Sequence, residues 1–314
     1  MSKCSASAEI ENLFYNNFLK FFKNAEAKRR WNIEGDIPWD KVNPGSSDLT
    51  ADIVQFFSAV EMYLPDYTSK LMPLIRESRG RAWFHANWGY EESKHSMVLE
   101  EWLVRSGKRS EEQLRAFADS LLDGKAWDLP FDHPRQMMIY TMTQELATGL
   151  SYTNLRRRAI SEGDGALAGL LAWVAADESA HYNFYRSGVK AYLARQPEET
   201  VADIKFVFEQ FTMPGKALIP GWEECRRNID AAGIYGARHY LGKVRLPIMQ
   251  DLGLTRTQLK SAGVGTSQAD LMADYADQKE RDRQNALLCR TFSRAAGDAA
   301  ASLKPPSRKN VLTI

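Results

Sequence analysis

The sequence predicts an all-α protein: a four-helix bundle with additional flanking helices. Three observations carry that prediction. Apolar residues recur at helical spacing over long stretches, and no segment alternates apolar and polar residues over strand lengths. Asn43-Pro44-Gly45, Ser78-Arg79-Gly80 and Gly163-Asp164-Gly165 interrupt the pattern where helices of ordinary length would end. Four of the long segments each carry a glutamate inside an otherwise apolar stripe, which asks for one shared interior.

In chain order, the periodicity predicts long helices over about 8–29, 48–76, 80–106, 111–124, 133–162, 165–194 and 198–212. Shorter ones follow near 222–230, 236–252, 255–262 and 267–288. Pro65 stands inside the second segment and is expected to kink or locally open it. Pro214 and Pro220, with their adjacent glycines, mark a turn region that closes the main bundle. The reading divides the chain into a bundle domain, 1–265, and a helical extension, 266–314, ending in a weakly ordered basic arm from Ser302.

Composition narrows the function. The 314 residues are 44% apolar and 26% charged, ordinary for a globular protein. A net charge of +1 gives no reason to expect a nucleic-acid partner. Cys4, Cys225 and Cys289 stand far apart, which suits a reducing compartment. The N-terminal run MSKCSASAEIENLFYNN lacks the pattern of a secretory leader. The longest apolar run, Ala166 to Ala176, falls short of the roughly 18 residues a membrane span needs. A soluble, cytoplasmic protein is the expectation.

The chemistry lies in the misplaced acids. Val54, Phe57, Glu61 and Leu64 share one helical face; so do Trp88, Glu92, His95 and Leu99. Met138, Met142, Glu145 and Thr148 form a third stripe, and Leu171, Val174, Glu178, His181 and Tyr185 a fourth. An ionised carboxylate in a dry core costs several kcal/mol unless it is paired or bound to a metal. Four of them on four helices need a common partner. Glu92–His95 and Glu178–His181 name it, because residues three apart on a helix reach the same centre. Two Glu-x-x-His pairs plus a lone Glu from each of two further helices match a di-iron carboxylate centre. Hard oxygen donors with one imidazole per metal suit iron or manganese better than zinc. A single Glu-x-x-His is common by chance; the ordered series Glu61, Glu92–His95, Glu145, Glu178–His181 is not.

These residues resemble the soluble acyl–acyl-carrier-protein desaturases, which are ferritin-like di-iron proteins. The likeness covers roughly residues 8–260 and rests on EMYLP at 61–65, EESKH at 91–95 after Trp88, QELAT at 144–148 and DESAH at 177–181. Gly163-Asp164-Gly165 and the run MPGKALIPGWEE from Met213 add to it. The resemblance implies two iron ions, with Glu61 and His95 terminal on one, Glu145 and His181 terminal on the other, and Glu92 and Glu178 bridging. It implies that Thr148 places a hydroxyl beside the oxygen-binding side, although a helical threonine also bonds back to its own backbone. Asp177 and Trp31 resemble the family's electron route to His95; Asp177 can equally orient an imidazole.

The implied reaction draws two electrons, from a reduced ferredoxin, and uses O2 to remove two hydrogens from neighbouring carbons of a fatty acyl chain, leaving a cis double bond. Phe84, Trp88, Met138 and Met142 are candidate channel residues, although plain core packing accounts for each of them. The acyl chain would arrive on an acidic acyl carrier protein, so a basic patch is expected. Arg156, Arg157, Arg158, Arg226 and Arg227 are candidates, though cations at a helix C-terminus are favoured anyway. Family members are usually homodimers.

Departures from the family pattern are also legible. EESKHS differs from the asparagine-arginine and glycine that many members carry around this histidine, and Tyr152 stands where plant sequences usually have histidine. Both leave chain length, double-bond position and the reaction itself open. The competing readings are a di-iron oxygenase acting on another carrier-bound substrate, an iron-storing or radical-generating bundle, and a metal-free structural bundle.

Overall fold

The computed structural model describes residues 2–261, with Lys125, Pro130 and Ala217 left out; the predicted helix 267–288 and the basic arm lie outside the described residues. Nine helices form the main body of that segment: α1 (Ser2–Asn24), α2 (Asp48–Glu61), α3 (Leu64–Ile75), α4 (Arg79–Arg105), α5 (Glu111–Leu122), α6 (Pro134–Ser161), α7 (Gly165–Arg195), α8 (Pro197–Gln210) and α9 (Trp222–Ala231). Short turns follow at Ala237–His239, Tyr240–Arg245, Leu246–Asp251 and Arg256–Ser261, the second of them π-helical. No strand occurs among the described residues.

Local chemistry sets the ends. The Ser47 hydroxyl accepts from the Thr50 amide at the start of α2, and the Asp164 carboxylate accepts from the Leu167 amide at the start of α7. Ser110 and Gln113 close a capping box on α5. The α6–α7 turn passes through Gly163 at φ 73°, where a residue without Cβ is unstrained.

One prediction needs correction. The segment 48–76 is two helices, not one kinked helix: α2 ends at Glu61 and α3 begins at Leu64. Pro65 occupies the first turn of α3, where its missing N–H breaks no hydrogen bond. The other long segments agree with the prediction to within a few residues, apart from α1, which starts at Ser2 and passes into a π-helical turn at Ala25–Arg29.

The bundle itself is α2, α4, α6 and α7. α2 packs along α4 and α6 along α7, with α4 meeting α7 between the pairs; α1 lies across α4 and α7, and α3 across α4 and α6. The four glutamate-bearing helices therefore share one core, walled by Val54, Phe84, Leu99, Met142, Leu171 and Val174.

Candidate metal centre

Six side chains from four helices converge. Glu61 stands on α2, Glu92 and His95 on α4, Glu145 on α6, and Glu178 and His181 on α7; all are buried. Their donor atoms fall into two groups, Glu61–Glu92–His95–Glu178 and Glu92–Glu145–Glu178–His181, each within 4.8 Å of one another. The groups share Glu92 and Glu178, so those two carboxylates lie between two positions. The Nδ1 of His181 lies 3.0 Å from Glu92, 3.2 Å from Glu145 and 3.4 Å from Glu178. The Nδ1 of His95 lies 3.4 Å from Glu92 and 3.7 Å from Glu178.

The imidazoles are held from behind. His181 Nε2 donates to Glu91 at 2.7 Å, and His95 Nε2 to Asp177 at 3.3 Å. A carboxylate partner requires the proton on Nε2, which leaves Nδ1 as the lone pair aimed into the cluster. Glu145 and Glu61 are also held: Trp88 Nε1 donates to Glu145 at 2.9 Å, and the Tyr152 hydroxyl donates to Glu61.

The electrostatics ask for a cation. Burial, and then Glu92 and Glu178, push the Glu61 carboxyl well above the ordinary range; burial, Glu178 and Glu92 do the same to Glu145. Burial opposes ionisation of Glu92 as well, but His95 and His181 hold it at about 2. Burial works against a charged imidazole at both positions, yet the surrounding carboxylates, Glu92 foremost for His95 and Glu145 for His181, raise both well above the ordinary histidine value. Glu92 Oε1, Glu178 Oε1 and His95 Nδ1 are buried yet make no hydrogen bond. A hard divalent cation at each position satisfies all three atoms, so the residues present fit two metal ions.

Asp177 and Trp31, predicted from resemblance, join this centre. The buried Trp31 Nε1 donates to Asp177 at 2.8 Å, on the same oxygen that His95 reaches. Trp31 in turn lines a surface groove with Tyr90, Lys94 and Met97. Thr148 is buried one turn beyond Glu145, and its hydroxyl donates back to the carbonyls of Gln144 and Glu145 at 3.1 and 3.2 Å. Phe84 and Met138 line a small pocket with His85 and Tyr185, next to His181; Trp88 and Met142 are buried core. Arg156 and Arg157 are exposed, while Arg158 is tied to Ser47, Thr50 and Glu162. Arg226 pairs with the neighbouring Glu223.

Sequence reasoning missed Glu91 and Arg29. The Arg29 guanidinium is buried and grips Glu91 through three bonds, of 3.0, 3.1 and 3.2 Å, while also contacting Asp177. Glu91 was legible: Glu91-Glu92-x-x-His95 and Asp177-Glu178-x-x-His181 are the same five-residue unit, with an acid before each Glu-x-x-His glutamate. The unit crosses over, since each acid serves the other helix's histidine. Arg29 gave no comparable signal.

The family profile for fatty acid desaturases matches residues 50–280. Stearoyl-[acyl-carrier-protein] 9-desaturase 2, a chloroplastic protein of Arabidopsis thaliana, is 27% identical over 288 residues, 82% of this chain and 67% of its own. Stearoyl-[acyl-carrier-protein] 9-desaturase 3 of the same plant is 29% identical over 222 residues, 66% of this chain and 53% of its own. The chain thus spans between about half and two thirds of the length of these curated relatives. The X-ray structure of DesA2 from Mycobacterium tuberculosis H37Rv, a candidate acyl-ACP desaturase, superposes with a TM-score of 0.58 at 19% identity, over 83% of this chain and all of that one. That likeness establishes the shared ferritin-like, all-α fold. No helix among the described residues is long and apolar enough to cross a membrane. With a profile matched over most of its length, the chain belongs to the fatty acid desaturase family, alongside the acyl-acyl-carrier-protein desaturases.

Proposed function

We propose that this protein is a di-iron, O2-dependent desaturase that introduces a cis double bond into a fatty acyl chain carried on acyl carrier protein. The observation that carries the reading is the pair of overlapping donor groups sharing Glu92 and Glu178, with both Nδ1 lone pairs turned toward them. Family membership supplies the substrate class.

In this reading Glu61 and His95 would hold one iron and Glu145 and His181 the other, with Glu92 and Glu178 shared between the two positions. When bound, the iron pair supplies the oxidant that takes hydrogen from unactivated carbon. The overall balance is simple: two hydrogens of the acyl chain, two supplied electrons and two protons reduce O2 to two waters. Tyr152 and Trp88 orient the terminal carboxylates, and Glu91 and Asp177 orient the imidazoles. Thr148, buried one turn beyond Glu145, is read as the hydroxyl beside the oxygen-binding side. Trp31, Asp177 and His95 form a continuous hydrogen-bonded path inward from the groove at Tyr90 and Met97, where a reduced ferredoxin delivers electrons. Phe84, Met138 and Tyr185 keep the neighbouring pocket dry and fix which carbons face the irons. Arg156 and Arg157 offer exposed positive charge to the acidic carrier, and the working form is a homodimer.

The test is a reconstituted reaction with reduced ferredoxin, O2 and acyl carrier proteins bearing chains of graded length. Mass spectrometry should find products lighter by two hydrogens. Products that instead gain oxygen would sink the desaturase reading and leave a di-iron oxygenase. Metal analysis accompanies it, with about two irons per chain expected for a centre of this kind.

A further inference from the structure

Glu91 and Asp177 each sit behind an imidazole, on different helices, and both are buried. Two buried carboxylates so close together repel each other strongly unless a cation joins them. Arg29 is that cation. Its fork grips Glu91 through both terminal nitrogens and reaches Asp177 with one of them. Arg30, the next residue, also contacts Glu91 and anchors on Asn87 at 2.6 Å. The π-helical turn Ala25–Arg29, closed by the Arg30 amide on the Ala25 carbonyl at 3.0 Å, ends α1 with these two consecutive arginines on one carboxylate. Phe21 lies against the Arg29 guanidinium, 4.9 Å from its ring centre, and also packs beside His181.

Two divalent ions balance the four inner glutamates. They leave nothing for the outer pair, whose negative charge is what keeps the proton on each Nε2. If Glu91 or Asp177 were pushed aside, its histidine would lose the partner that fixes its ring, and Nδ1 would turn away from the centre. A lysine could neutralise one of these carboxylates but lacks the planar fork that joins two.

We propose that Arg29 is a positioning residue of the metal centre: by clamping Glu91 and Asp177 together it sets both histidine ligands at once, so the two metal positions are coupled through one side chain. The inference rests on the di-iron reading above. Its alternative is that Arg29 merely pins the end of α1 to α4 and α7, in which case a folded variant would bind iron normally.

The experiment uses the full chain with Arg29→Lys, Arg29→Met and the double variant Arg29→Met/Glu91→Gln. Ferrous iron affinity is read by competition with a chromophoric chelator, the ferrous site by near-infrared circular dichroism, and folding by far-ultraviolet circular dichroism of the metal-free protein. Arg29→Met should weaken iron binding by about 10- to 100-fold, the usual effect of losing an outer partner of a ligand. Its ferrous spectrum should change at both metals, because both histidines are released. Arg29→Lys should lose less affinity and shift the same bands. The double variant should recover part of the folding stability but not the affinity, since His181 then lacks a carboxylate. Folded Arg29→Lys and Arg29→Met proteins with wild-type affinity and spectra would overturn the clamp; if the methionine variant does not fold, the lysine variant alone decides. A wild-type protein that takes up no iron would overturn the di-iron reading itself, and is thereby distinguished from failure of the clamp alone.

Discussion

His85 shows how a single residue near the centre is tuned without being part of it. It lies on α4, stacks on Trp88 with ring centres 4.9 Å apart, and its Nε2 donates to the Thr68 carbonyl at 3.3 Å. Burial, opposed only weakly by that bond, lowers its pKa from 6.5 to about 4. The sign follows from linkage. Between those values the unfolded chain takes up a proton that the folded chain refuses, so stability is full above about pH 6.5 and declines as pH falls toward 4. The loss across that window is about 3 kcal/mol. Urea unfolding of the metal-free wild type and of His85→Phe, measured at both ends of the window, should show the variant gaining on the wild type by about that amount; parallel pH curves would refute it. At the same scale, Glu145→Ala should weaken the stabilisation that iron confers through the Glu92–Glu145–Glu178–His181 group, because it removes one of that group's carboxylates. Differential scanning calorimetry with and without ferrous iron makes the comparison.

At the scale of elements, ends and crossings decide the geometry. Pro65 and the break after Glu61 let α2 stop at its ligand while α3 leaves in a new direction, over α4 and α6. Gly80 begins α4 where α1 crosses it: a Cβ there would lie 2.4 Å from the backbone of Phe14 and Tyr15. Gly80→Ala should therefore force α1 away from α4 and destabilise the fold by about 1–3 kcal/mol, read as a lower urea midpoint with an unchanged slope. An unchanged midpoint would mean that α1 is free to slide. α1 also delivers Arg29, so any loosening of this crossing is felt at Glu91 and Asp177. The helices were legible because each long segment repeats its apolar residues at the helical period. The split of the second segment was not, because proline is compatible both with a kink and with the first turn of a new helix.

For the molecule as a whole, the di-iron reading couples metal binding to folding. In the core that gathers Glu61, Glu92, Glu145 and Glu178, burial and the neighbouring glutamates push Glu61 and Glu145 well above the ordinary carboxyl range, a cost that a bound cation would relieve. Metal should therefore stabilise the folded state: at a free ferrous concentration 100 times the dissociation constant the gain is about 2.7 kcal/mol per site. Removing iron with a chelator should lower the melting temperature by several degrees, reversibly on readdition. A melting temperature indifferent to iron would contradict the site. The same coupling explains why the bundle tolerates so many buried acids, which are a liability in folding and a requirement in the metal-bound state.

The amino-acid sequence by itself determined that the chain is helical, which four helices share a core, and which six residues meet there, because helical periodicity exposes any charge on an apolar face. It also carried the duplicated acid–Glu-x-x-His unit, although the first acid of each was readable only by comparing the two copies. Tertiary structure alone decided that the copies cross, with Glu91 serving His181 and Asp177 serving His95, and that Arg29 joins them. It also decided that Tyr152 holds Glu61 and Trp88 holds Glu145. The reason is physical. Spacing along one helix fixes which side chains point the same way, whereas a contact between helices far apart in sequence depends on where two axes come together, and no local pattern encodes that distance.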